Sequence, residues 1–88
     1  MIIGHEITHG FDDQGRHMAA NGSMHNWWGK TTETKFAEKS KCMIDQYSNL
    51  VFAGQHLNGQ LTLGENIADN GGIKISYYAW VSLLQGYL

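Results

Sequence analysis

Hydrophobic and polar positions along the chain fall into three helical stretches separated by two polar loops. Near the start, Ile3, Ile7 and Phe11 recur at i, i+4, i+8 and predict a helix over about residues 2–11. His5 and His9 lie one turn apart on a neighbouring face of it. A second stripe, Phe36, Ser40, Met43, Tyr47 and Leu50, predicts a helix over about 32–50, with Glu33, Lys35, Glu38, Lys39 and Lys41 mostly off the stripe. Thr62-Leu63-Gly64-Glu65 has the Thr-x-x-Glu form of a capping box. A third helix is therefore predicted from Thr62 to about residue 85, through Ile67, Ile73, Tyr77, Trp80 and Leu84. Gly71-Gly72 in its middle costs about 1 kcal/mol per glycine against alanine, which predicts close approach of another backbone there. Asp12-Asp13-Gln14-Gly15 and Asn21-Gly22-Ser23 are turn signals, and Gly54 and Asn58-Gly59 break the chain after the second helix. The expected fold is all-α, in one domain.

Composition removes several classes. Six Lys+Arg against eight Asp+Glu in 88 residues give a net charge of −2, so no basic patch exists for nucleic acid. The hydrophobic fraction of 42% is too high for a disordered chain. No run of about 18 apolar residues could span a membrane, and no secretory signal follows Met1. Cys42 is the single cysteine, which excludes an internal disulfide and a Cys-based zinc site. A chain of this size buries only about 60–65% of its unfolded surface, so a metal or a neighbouring domain is the expected compensation. The first helix also starts abruptly, with no N-cap. Both points lead to the expectation of an internal piece of a larger domain.

The candidate chemistry is His5-Glu6-Ile7-Thr8-His9, the pattern HExxH. On a helix the two imidazoles share a face and can reach one tetrahedral metal, expected to be one Zn²⁺ per chain. Glu6 is rotated by about 100° from His5, so it is expected to act on a metal-held water as general base rather than to ligate. A site completed by a third histidine six residues after His9 needs glycine at position 12 and histidine at 15; this chain has Asp12 and Gly15. A carboxylate from a second helix is the other solution. Glu65 and Asp69 stand at i, i+4 on the third helix, with Gly72 and Ser76 continuing the same face. That stripe of small and acidic residues suits close packing on the metal helix. Glu65 is the expected third ligand, although the same side chain is wanted by the capping box. Asp69 can accept the outward N–H of a ligating imidazole. Asp12 and Asp13 read first as turn formers and second as groups that orient His9. Trp27 and Trp28 read as core, and Arg16 with the lysines of the second helix as a solvated face. His17, His25 and His56 are expected to stay out of the metal site.

Four blocks together carry a resemblance. Gly4-His5-Glu6-Ile7-Thr8-His9-Gly10-Phe11-Asp12-Asp13, Asn26-Trp27-Trp28, Gln55-His56-Leu57-Asn58-Gly59, and Thr62 through Gly72 resemble the neprilysin and endothelin-converting-enzyme family of zinc metalloendopeptidases, in order and over nearly the whole chain. The resemblance implies a zincin-like (gluzincin) catalytic domain acting on oligopeptides. It implies His5, His9 and Glu65 as zinc ligands, Glu6 as general base and Asp69 as the hydrogen-bond partner of a zinc histidine. It also implies a substrate-binding strand before this segment, a transition-state histidine and a substrate-gripping arginine after it, and a cysteine partner for Cys42; none of these lies in the chain. Residues 1–88 are therefore expected to be part of a catalytic domain, inactive without the remainder. The parent is expected to be a type II membrane ectoenzyme or a secreted one. A zinc-binding helical module without turnover is the alternative reading, and a metal-free structural helical piece the third.

Overall fold

The computed structural model describes residues 1–87. Its elements in chain order are α1 (Ile2–Thr8), α2 (Lys30–Ser48), the two-residue strands β1 (Val51–Phe52) and β2 (Gln55–His56), and α3 (Leu63–Tyr87). Single 3-10 turns follow α1 at His9–Phe11 and Gly15–His17. Three helices with little sheet are the fold, in the expected order.

The boundaries differ from the sequence reading in instructive ways. The first helix is regular only to Thr8, because the chain tightens into a 3-10 turn and leaves it at Asp12, whose ψ of −177° is extended. α2 starts earlier than expected, at Lys30, without a side-chain cap. It stops at Asn49, so Leu50 falls outside it. The segment read as a simple break is a hairpin, in which Val51 pairs with His56 and Phe52 with Gln55. Its two turn residues, Ala53 (φ 53°) and Gly54 (φ 80°), both adopt positive φ, as a type I′ turn requires. Alanine at the first of these positions hides the signal that Asn-Gly would have given.

α1 and α3 meet backbone to backbone. A Cβ on Gly72 would stand 2.8 Å from the His5 nitrogen and 2.9 Å from the Met1 carbonyl oxygen. One on Gly4 would stand 3.1 Å from the Gly72 Cα. The approach expected at Gly71-Gly72 is present, and α1 is what approaches. Beside it, the Thr8 hydroxyl packs on Gly71 and donates to the Gly4 carbonyl at 2.6 Å. α2 joins α3 through the Asn70 side-chain amide, which donates to the Tyr47 hydroxyl at 3.0 Å.

The packed face of α3 is small. Among the described residues Leu63 and Ala68 are the buried hydrophobic ones, with relative exposures of 2% and 0%, and Gly72 is buried beside them. Two of the apolar stripes read from the sequence are not packed faces: Ile3, Ile7 and Phe11 near the start, and Ile73, Tyr77, Trp80 and Leu84 on α3, are exposed, whereas on α2 Ser40 is buried and Phe36, Met43 and Tyr47 are half-buried. No described helix is long and apolar enough to cross a membrane.

Candidate metal centre

The glycine contact fixes which side chains face each other. With α1 pressed on α3 at Gly72, the side chains of α3 one and two turns earlier, Asp69 and Glu65, lie alongside His5 and His9. The Asp69 carboxylate accepts from His5 Nδ1 at 2.7 Å. Past the end of α1, the Asp12 carboxylate accepts from His9 Nδ1 at 2.7 Å. A carboxylate only accepts, so both Nδ1 atoms carry the proton and both Nε2 atoms present a lone pair inward.

Those inward nitrogens converge with Glu65. The two Nε2 atoms are 3.0 Å apart. His5 Nε2 lies 3.2 Å from Glu65 Oε2, and His9 Nε2 lies 3.4 Å from Glu65 Oε1. Three acceptors this close repel unless a positive charge sits among them. Ligands at about 2.0–2.1 Å from a tetrahedral Zn²⁺ are separated from one another by about 3.3 Å. The separations of 3.0–3.4 Å among the two nitrogens and the two Glu65 oxygens are close to that edge, and the two-nitrogen, one-carboxylate donor set is one that zinc accepts. The residues fit the ion.

Both Glu65 oxygens face the two imidazoles, and the reciprocal capping box expected at Thr62 does not form. The Thr62 hydroxyl instead donates to the Asn58 carbonyl at 3.2 Å and accepts from the Asn66 amide at 2.8 Å. Glu6 stands off the cluster: its Oε1 is 3.8 Å from His5 Nε2 and its side chain is exposed. An open cleft of about 560 Å³ runs past His9 and Glu65, bounded by Asp12, Asp13 and Leu61. A recess of about 250 Å³ opens on the other side between Ile2, Glu6 and Asp69. No lysine or arginine lines either space.

Asp12 does more than form a turn. Its Oδ1 accepts the backbone N–H of Gln14 at 3.0 Å and of Gly15 at 2.6 Å, while Oδ2 holds His9. The two readings of this residue, turn former and orienting group, are both realised, one on each oxygen. Burial pushes its pKa up, but the hydrogen bonds from Gly15, His9 and Gln14 outweigh that and hold it below the usual range. The Asp12 hydrogen bond in turn raises the His9 pKa above the ordinary imidazole value, against desolvation and aided by the charge of Glu65. Asp13 has a buried oxygen without a hydrogen-bond partner and makes no bond to His9. Arg16 is not on a solvated face: its side chain is only 13% exposed and paired with Glu33. Trp28 is half-buried against Phe36, while Trp27 is largely exposed. His56 donates to the Ser48 carbonyl at 3.1 Å, remote from the cluster.

A helix bearing an HExxH pair, backed by a second helix that brings a glutamate to it, defines the zincin-like class of peptidase domain. Within that class the chain belongs to peptidase family M13, whose family model matches residues 1–86. It is 51% identical over 81 residues to an endothelin-converting enzyme homolog of Locusta migratoria, covering 92% of this chain and 11% of that protein. It is 50% identical over 88 residues to the neprilysin of Homo sapiens, covering 97% of this chain and 12% of the relative. Among solved structures, an inhibitor complex of a Mycobacterium tuberculosis zinc metalloprotease superposes with a TM-score of 0.91 at 39% identity. That match covers 97% of this chain and 14% of the other. The chain thus spans about an eighth or less of the length of the curated relatives it matches.

Proposed function

We propose that these residues are the metal-binding part of a zinc endopeptidase site that hydrolyses peptide bonds in oligopeptides. His5, His9 and Glu65 are the ligands of one Zn²⁺ and Glu6 is the general base. The supporting observation is the convergence of two imidazole nitrogens and the two oxygens of one carboxylate, at separations of 3.0, 3.2 and 3.4 Å. When bound, zinc supplies a Lewis acid that acidifies a water and polarises the scissile carbonyl. Glu6, outside the ligand set yet 3.8 Å from His5 Nε2, takes the proton of the attacking water and hands it to the leaving amine nitrogen. Asp69 and Asp12 keep the Nδ1 protons outward, so both Nε2 lone pairs stay aimed inward.

For the 88-residue chain by itself, binding without turnover is the favoured reading. The clefts at the site carry no lysine or arginine to grip a substrate carboxylate or an oxyanion. On the same reading, these residues work inside a larger catalytic domain of an extracellular or secreted enzyme. Cys42, exposed on α2, pairs there with a cysteine outside this chain.

The test is Glu6→Gln in the complete catalytic domain. Peptide cleavage should fall about 10²–10⁴-fold with one equivalent of zinc retained. Cleavage that survives the substitution removes Glu6 as the base. A complete domain that holds zinc yet cleaves no peptide establishes the non-catalytic module instead.

A further inference from the structure

Arg16 is the polar tie between α2 and the turn that aims Asp12 at His9. Its guanidinium lies over the ring of Trp28, with Cζ 5.3 Å from the centroid, and over that of Phe36 at 5.5 Å. The two rings pack edge to face, 5.1 Å apart. Nη2 donates to Glu33 Oε1 at 3.4 Å. A planar cation stacked on aromatic rings and paired with a carboxylate holds one orientation, which a lysine ammonium would not reproduce. At the other end of the same residue, the Arg16 backbone N–H donates to the Asp12 carbonyl at 3.1 Å. The neighbouring N–H of Gly15 holds Asp12 Oδ1, leaving Oδ2 on His9 Nδ1. A Cβ at Gly15 would run into the His9 carbonyl, so this turn sits directly on the end of the metal helix.

We propose that Arg16 is a positioning residue for the metal centre, acting through Asp12 to hold the His9 imidazole in its ligating tautomer and direction. The proposal rests on the metal-site reading above. Asp12 fixes the imidazole, the turn from Asp12 to Arg16 fixes Asp12, and the guanidinium anchors that turn to α2. Losing the anchor frees the turn, and His9 then has to be ordered by the ion itself. That ordering weakens binding.

The experiment measures zinc affinity by chelator competition in the complete catalytic domain, with metal-free thermal stability recorded alongside. Arg16→Gln should weaken zinc about tenfold, at the lower end of the loss seen for direct partners of ligating histidines. In an Asp12→Asn background the same substitution should have no further effect, because the route is already cut. An unchanged affinity in a folded Arg16→Gln protein overturns the proposal. So does an equal tenfold loss in both backgrounds, which marks a merely structural role. Should Arg16→Gln fail to fold, Glu33→Gln slackens the guanidinium while leaving its ring stack in place. A loss of about threefold, absent with Asp12→Asn, supports the proposal, and no loss overturns it. An unsubstituted domain that binds no zinc overturns the underlying metal-site reading as well, so the two failures are distinguishable.

Discussion

Asp12 divides its carboxylate between two tasks, and that division can be tested by a change that spares one of them. In Asp12→Asn the side-chain oxygen still accepts from Gln14 and Gly15, so the turn survives. The amide nitrogen now donates to His9 Nδ1, and the ring must carry its proton on Nε2, where a metal needs the lone pair. Zinc affinity should fall about 10–100-fold with helical content unchanged, measured by chelator competition and circular dichroism. The pH dependence of the metal-free protein follows from the same pair. The raised His9 pKa means that its contribution is complete below about 6.5 and is lost as pH rises through the raised folded value. The lowered Asp12 pKa means that its contribution is present above about 3.8 and is lost as pH falls through the lowered value. The melting-temperature advantage of the parent over Asp12→Asn should therefore peak at roughly pH 5 and shrink on both sides. An advantage that stays flat across that range contradicts the pairing. The proximity of His5, His9 and Glu65 was legible in part: helix periodicity puts the two histidines on one face and Glu65 with Asp69 on another, while preferring Glu65 as a ligand over its capping role needed the histidine pair and the resemblance. Arg16 was not, since its burial depends on Trp28, Glu33 and Phe36, which no local pattern assigns to it.

The helices depend on one another through a seam without side chains. α1 is only seven residues long, too short to persist alone, and the α3 backbone at Gly72 is what it rests on. Gly72→Ala places a methyl group against the His5 nitrogen and the Met1 carbonyl, backbone atoms that cannot turn aside. The substitution should cost about 1–3 kcal/mol in urea unfolding and weaken zinc binding in the same protein, because His5 is pushed off Glu65 and Asp69. Gly86→Ala is the control: nothing lies within 4 Å of its would-be Cβ, and it should stabilise α3 by up to about 1 kcal/mol. The double glycine advertised this contact because it is unfavourable for a helix otherwise. The hairpin at Val51–His56 gave no such sign, having two-residue strands and alanine in the left-handed position.

As a body the chain is open. Its surface of 6813 Å² exceeds the roughly 5,200 Å² expected of a 9.9 kDa monomer, and its radius of gyration of 15.5 Å exceeds the roughly 12 Å of a compact chain this long. Large apolar side chains contribute to that exposed surface: Ile2, Ile3, Trp27, Ile73, Tyr77 and Trp80 all face outward. Produced by itself, the polypeptide should bind an apolar dye and self-associate in light scattering. A dye-free monodisperse monomer contradicts that expectation. The apolar stripes at the chain start and on the later turns of α3 were readable in the sequence, but what covers them was not, since no described residue does. One consequence concerns the glycine seam and the donors that straddle it. An ion gripped by positions 5 and 65 would tie the backbone between them, a sequence separation of 65 − 5 = 60, into a ring. Occupancy would then act as a fastener as well as a reagent. Metal starvation should leave the loops between those positions slack, and an unrelated protease should nick them before any other part of the domain gives way.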